Sequence, residues 1–208
     1  MRVAILGGTG SFGLALAARL LALGEDDIVI GSRDADRARA AAGELGGRAT
    51  GATNEDAARG ADLAVLAVKA ETALDTARAV AAALEGTPLL SVASARTFGA
   101  DGVRPDPDPL SLAERIQKVV RGPVAAGLHS IAAANLAKGP PDEDAFVCGD
   151  DSHAKELALA LAAKVVGGRA LDAGPLASAR TLEGLTAVIV NLNRRYKGHA
   201  GVRITGLP

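Results

Sequence analysis

Met1-Arg-Val-Ala-Ile-Leu-Gly-Gly-Thr-Gly-Ser-Phe-Gly13 runs an apolar strand into Gly8-x-Gly10-x-x-Gly13, with an Ala/Leu-rich helix opening at once behind it. Strand, glycines and helix in this order make a dinucleotide-binding turn, at the start of a doubly wound sheet. Gly8 is read as permitting the tight turn, Gly10 as letting backbone approach a pyrophosphate, and Gly13 as letting helix and strand pack closely. The helix N-terminus offers unpaired N–H groups and partial positive charge to the phosphates.

The second strand refines the ligand. The helix from Ser11 ends at Gly24, a good C-cap, and Asp26 and Asp27 precede the buried run Ile28-Val29-Ile30. Nucleotides with a free ribose 2′-hydroxyl usually meet Asp or Glu at the end of this strand. Here Gly31-Ser32-Arg33 stands there, with Arg37 one helical turn on. A carboxylate would repel a 2′-phosphate, whereas a hydroxyl and two guanidiniums bind one, so NADP is expected rather than NAD. Asp34 has two available roles, accepting a ribose hydroxyl or capping the helix Ala35–Leu45.

Further along, the continuous apolar run over residues 61–68 and the strand over 87–92 suit a parallel sheet buried on both faces, with a helix over Ala70–Leu84 between them. Residues 43–53 read as a turn-rich connection. Residues 93–109, with Gly99, Gly102 and Arg104-Pro-Asp-Pro-Asp-Pro109, read as a mobile loop near the mouth of the site. A helix over 110–121 and strands over 123–128 and 146–148 follow. Asp150 and Asp151 suit the dipole of a helix over 152–166, and Ala170–Asp172 makes an edge strand. Gly174-Pro175 then opens a long helix to about Asn193, followed by a basic tail over 194–208. The expected fold is α/β: a Rossmann-type doubly wound parallel sheet with a C-terminal helical segment. Residues 1–172 are expected to form the NADP-binding unit, and residues 173–208 a C-terminal helical segment.

Composition narrows the function. The chain has 208 residues, 49% of them hydrophobic, and a net charge of −1, which argues against a general nucleic-acid binder. A single cysteine, Cys148, cannot form an intrachain disulfide, which fits a reducing cytoplasm; no apolar run reaches membrane-spanning length. Aromatics are 2% of the chain, so a ring site must be lined mostly by aliphatic side chains and backbone. No zinc spacing, Ser/His/Asp set or Tyr-x-x-x-Lys pair is present. His129, in Gly127-Leu-His-Ser-Ile131 after a strand, is a candidate to orient a substrate or donate a hydrogen bond to it, and the helix start in Leu171-Asp-Ala-Gly-Pro-Leu176 a candidate to face an anionic or carbonyl group.

At this point the chain resembles the NADPH-dependent F420 reductases over essentially its whole length. The resemblance rests on Leu6-Gly-Gly-Thr-Gly10, Gly31-Ser-Arg33, Leu128-His-Ser-Ile131, Val147-Cys-Gly-Asp-Asp151, Leu171-Asp-Ala-Gly-Pro-Leu176 and the ending Tyr196-Lys-Gly-His-Ala-Gly-Val-Arg-Ile-Thr-Gly206. It implies hydride exchange between NADP(H) and the 5-deazaflavin of coenzyme F420. Thr9, Ser32, Arg33 and Arg37 would surround the adenosine phosphate. His129, as the catalytic residue, and Ile131 would lie at the deazaflavin. Ser11, Phe12 and Val68 complete the implied cofactor site, no metal is implied, and a homodimer is expected. Where many members carry a Pro-aromatic pair after the fourth strand, this chain has Lys69-Ala70, and Ser91–Arg96 lacks prolines.

Such a transfer needs two rings held face to face at about 3–3.5 Å with water kept out, and little covalent chemistry from the protein. Two other readings compete. One is an NADP-dependent reductase of a small imine or carbonyl, with His129 or Lys69 as proton donor. The other is a non-enzymatic NADP-binding regulator.

Overall fold

The computed structural model describes residues 1–24 and 27–207. Asp26, expected ahead of the second strand, lies outside them. The first half alternates strand and helix: β1 Arg2–Leu6, α1 Ser11–Leu23, β2 Asp27–Ser32, α2 Ala35–Leu45, β3 Ala49–Thr53, α3 Asn54–Ala58, β4 Leu63–Leu66, α4 Ala70–Leu84 and β5 Leu89–Ser91. Then come β6 Arg96–Gly99, β7 Gly102–Pro105, α5 Leu112–Gln117, β8 Val124–Gly127 and α6 Ala133–Leu136. The chain continues with β9 Ala145–Gly149, α7 Ser152–Val165, β10 Ala170–Asp172, a 3-10 turn Leu176–Ser178 and α8 Ala179–Tyr196.

Among the described residues the main sheet has eight strands, in the order β10-β9-β8-β5-β4-β1-β2-β3. All neighbours run parallel except β8 and β9. The parallel sheet expected is found, with this one antiparallel pair as the exception. The chain between β8 and β9 holds only the four-residue α6, and β9 runs back against β8.

The strand pattern sorts the core into two layers. Val3 and Ile5 of β1 face one side with Leu63 and Val65 of β4, against Leu16 and Leu20 of α1 and Leu161 of α7. Ala4, Leu6, Ala64 and Leu66 face the other, against Ala77 and Val80 of α4, Ile116 of α5 and Leu182 of α8. Each fully buried Leu, Ile or Val contributes about 1.5–3 kcal/mol. Both layers therefore hold the strand ends, and the loops leaving them, in place.

Several expectations change. Residues 49–53 form β3, paired with β2, and not a connection. Residues 93–109 are not a loose loop: β6 and β7 pair as an antiparallel hairpin. Asp106 and Asp108 then both accept from Arg115, at 2.9 and 3.1 Å. Asp34 is the N-cap of α2, accepting from the N–H groups of Asp36 and Arg37. Asp151 caps α7, but Asp150 turns away and accepts from the Leu176 N–H at 2.9 Å. The tail folds back. Val202 accepts from Asp144 N–H, Ile204 N–H donates to the Asp144 carboxylate, and Arg203 pairs with Asp142.

Candidate active site

The order β5-β4-β1-β2 places the topological switch between β1 and β4, and the loops leaving their carboxyl ends open a crevice there. On one side is the glycine turn. Gly7, not Gly8, takes the left-handed conformation, at φ +75°. Gly8 is needed for a different reason, since a Cβ there would lie 2.7 Å from the Ile5 carbonyl oxygen. Gly13 does what was expected: its Cβ would sit 2.6 Å from the Cα of Gly8, so helix and turn touch backbone to backbone. At Gly10 a Cβ would meet nothing closer than 3.5 Å, which leaves that face of the turn open.

Two contacts fasten the turn. Gly8 N–H donates to the Gly31 carbonyl at 2.9 Å, tying it to the end of β2. Buried Asn54, the first residue of α3, accepts from Gly7 N–H at 3.0 Å. Leu14 N–H is the first of α1 to close on the turn, at Gly10 O. The N–H groups of Ser11, Phe12 and Gly13 ahead of it belong to the open first turn, where an anion is favoured.

Beside the turn, at the end of β2, lie Ser32, Arg33 and Arg37. Ser32 is buried, and its hydroxyl accepts from Asp34 N–H at 3.2 Å, keeping its own proton to donate. Arg33 and Arg37 are exposed. Neither guanidinium has an ion pair or hydrogen bond among the described residues. That is the state in which a bidentate donor meets a phosphate at lowest cost.

On the other side is a cleft of about 460 Å3. It is lined by Phe12 from the turn, Val68 and Lys69 after β4, Ser94 after β5, His129 and Ile131 after β8, and Thr186 of α8. Phe12, Val68, His129 and Ile131, singled out from sequence, are thus brought together. Arg96 and Phe98 of the hairpin also line it, with the guanidinium carbon 5.7 Å from the ring centroid. Two of the three phenylalanines therefore reach the cleft, more aromatic surface than composition suggested.

Leu128 directs His129 into this space. It adopts a left-handed φ of +62°, a conformation costing a side-chain-bearing residue on the order of 1–2 kcal/mol. The Leu128 side chain stays in the core while the chain turns off the end of β8. His129 is 7% exposed, and burial lowers its pKa to about 4, against the opposing effect of the Val92 carbonyl. The imidazole is therefore neutral at neutral pH. Its Nδ1 lies 3.1 Å from Ser94 Oγ, Ser94 Oγ lies 2.9 Å from Thr186 Oγ1, and Thr186 Oγ1 donates to the His129 carbonyl at 2.9 Å. Nε2 is buried with no partner. Sequence reasoning missed Ser94 and Thr186, which no local motif marks.

Cys148 is buried, and burial together with the Glu183 charge pushes its thiol up to about 12. It is an inert part of the core. No cluster of metal-ligating side chains occurs among the described residues.

Residues 2–95 match the family model described as NADP oxidoreductase coenzyme F420-dependent. The F420-dependent NADP reductase of Methanothermobacter marburgensis is 39% identical, and the alignment covers all of both chains. That of Methanothermobacter thermautotrophicus is 38% identical, over all of this chain and 96% of the other. The crystal structure of a putative F420-dependent NADP reductase from Arthrobacter sp. FB24 superimposes with a TM-score of 0.83 at 27% identity, covering 99% of this chain and all of that one.

Proposed function

The chain belongs to the F420-dependent NADP reductases, and from that premise we propose that it passes hydride between NADP(H) and the deazaflavin coenzyme F420. With both bound, the nicotinamide and the deazaflavin supply the hydride chemistry between them. The protein's part is to hold each molecule, align the rings and exclude water.

The residues fit both. At the nucleotide end, the turn from Gly8 to Gly13, with Thr9 and the open first turn of α1, receives the pyrophosphate. Ser32, Arg33 and Arg37 take the 2′-phosphate; their unpaired guanidiniums support that role. At the ring end, Phe12, Val68, Ile131 and His129 form the walls. One observation carries the reading: Phe12 of the nucleotide turn and His129 and Ile131 beyond β8 line a single cleft, so a ring entering from each side meets the other there. A reductase of a small imine or carbonyl needs a proton donor at the reduced bond. The burial that keeps His129 neutral removes an imidazolium from that role, which would then fall to Lys69, which also lines the cleft.

Residues 1–172 serve as the nucleotide-binding unit, and 173–208 complete the cleft; Thr186 in its wall supports this division. A homodimer is supported by Val188, Leu192 and Tyr196, 52%, 41% and 72% exposed, which recur every fourth residue along one face of α8. A cytoplasmic setting is supported by the lone buried cysteine, and no helix of the described residues is long and apolar enough to cross a membrane. The net charge of −1 speaks against a nucleic-acid partner.

The test is spectroscopic. Mixed with NADPH and oxidised F420, the protein bleaches the deazaflavin absorbance with equal loss of NADPH. No bleaching, with NADPH consumed by a small imine, would replace the reading.

A further inference from the structure

We propose that Ser94 is a positioning residue that holds His129 in the Nδ1–H tautomer, so that Nε2 meets the substrate ring as a hydrogen-bond acceptor and selects a ring offering an N–H or O–H there. The substrate half of this inference rests on the functional reading above; the tautomer rests on the structure alone.

Counting protons decides it. A threonine hydroxyl has one proton, and that of Thr186 goes to the His129 carbonyl, which can only accept. The 2.9 Å contact between Thr186 Oγ1 and Ser94 Oγ is then a hydrogen bond only if Ser94 donates. That commits the single proton of Ser94, so its 3.1 Å contact with Nδ1 is a hydrogen bond only if the ring donates. The neutral ring has one N–H, now at Nδ1, and Nε2 carries a lone pair. The chain of donors starts at the His129 ring and closes on the His129 carbonyl, and the Val92 carbonyl, which also acts on the ring, is a second acceptor for its N–H.

Nε2 is the ring atom left for the ligand. Buried polar atoms are almost always paired, and an orphan asks for an explanation. His129 lines the cleft, is more than nine-tenths buried, and has this one polar atom without a protein partner. A ring donor placed against it removes the deficit. A ring carbonyl in the same place would face a lone pair and be rejected, which makes the position selective. Burial, which keeps the imidazole uncharged at neutral pH, supports the same picture.

The tautomer can be read without any ligand. The chain has three histidines, and His153 and His199 are exposed, so His129 is the one ring with a fixed tautomer. In protein labelled with 15N-histidine at pH 7, long-range proton–nitrogen correlation is expected to show His129 protonated at Nδ1. Thr186→Val removes the acceptor for Ser94, whose proton then turns to Nδ1, and His129 is expected to switch to the Nε2–H form. Thr186→Ser keeps the wild-type form. Ser94→Ala frees the ring, and is expected to raise KM for F420 about tenfold while KM for NADPH stays within about twofold, the loss of one hydrogen-bond constraint at one of two ligands.

An Nε2–H ring in the wild-type protein would overturn the proposal. So would a Ser94→Ala protein with unchanged spectrum and unchanged KM values. If Thr186→Val fails to fold, the wild-type and Ser94→Ala spectra decide alone. Wild-type protein with the Nδ1–H ring but no turnover of F420 would instead overturn the functional reading, and with it the substrate half of the inference.

Discussion

Asn191 grips Val103 with both ends of its amide: Oδ1 accepts the Val103 N–H at 2.9 Å, and Nδ2 donates to the Val103 carbonyl at 2.7 Å. One side chain of α8 thus imitates the edge of a strand. It docks the β6–β7 hairpin on the helix and sets Arg96 and Phe98 at the mouth of the cleft. Asn191→Leu keeps the volume and strands two partly buried backbone groups, a loss of about 1–3 kcal/mol. Faster amide exchange at Val103 and a raised KM for F420 are expected. Unchanged exchange at Val103 would show that the hairpin is held by something else.

Arg33 should separate the two nicotinamide nucleotides. Its guanidinium is exposed at the end of β2, without a protein partner among the described residues. Arg33→Ala is expected to weaken NADP binding by roughly 1–3 kcal/mol, the worth of a charged hydrogen-bonded contact, and NAD binding hardly at all. Calorimetry with both nucleotides measures the difference. Equal losses would remove Arg33 from the 2′-phosphate site.

His129 contributes to the acid sensitivity of the fold. Its folded pKa, about 4, lies below the ordinary 6.5 because burial opposes the charge. Below pH 6.5 the unfolded chain therefore binds a proton that the folded chain refuses, and stability falls until about pH 4, where the folded ring protonates too. The contribution amounts to about 3 kcal/mol across that window. Urea unfolding of wild type and His129→Gln at pH 7 and pH 4.5 should show the variant losing less on acidification. In turnover, His129→Ala is expected to impair the deazaflavin reaction and leave NADP affinity nearly intact.

Asp144 is the anchor of the folded-back tail. It is fully buried, pairs with Arg169 at 2.9 Å and accepts the N–H groups of Arg169 and Ile204. These partners, Arg169 foremost, hold its carboxyl well below the usual carboxylate range. A lowered folded pKa gives stability that is present above the unfolded value and is lost as pH falls towards the folded one. Asp144→Ala strands the N–H groups of Arg169 and Ile204 and frees the partly exposed Arg169 guanidinium, a loss of about 1–3 kcal/mol. Limited proteolysis should then cut within residues 198–207 first.

Much of this architecture was legible because it is local. α2 over Ala35–Leu45 and α4 over Ala70–Leu84 begin and end where their caps and periodicity put them, and the Gly8–Gly13 turn carries its own signature. What was not legible depends on distant partners. β3 is built of small, half-exposed residues, and only its pairing with β2 makes it a strand. β6 is exposed along its length, and its hairpin is secured by Asn191, 88 residues from Val103. Ser94 and Thr186 are 92 residues apart, so no window contains the network that orients His129. The reversed direction of β9 leaves no mark on the strand itself. Its composition suits either orientation.

Hydride passing from ring to ring within one cleft has a signature that binding alone cannot mimic. NADPH carrying deuterium at the transferred position of C4 should, in one turnover on this protein, deliver that deuterium to C5 of the deazaflavin with none lost to water. Deuterium retained at C4 of NADP+ whichever face of NADPH carried the label, or recovered in solvent, would contradict direct transfer in the cleft that Phe12 and His129 share.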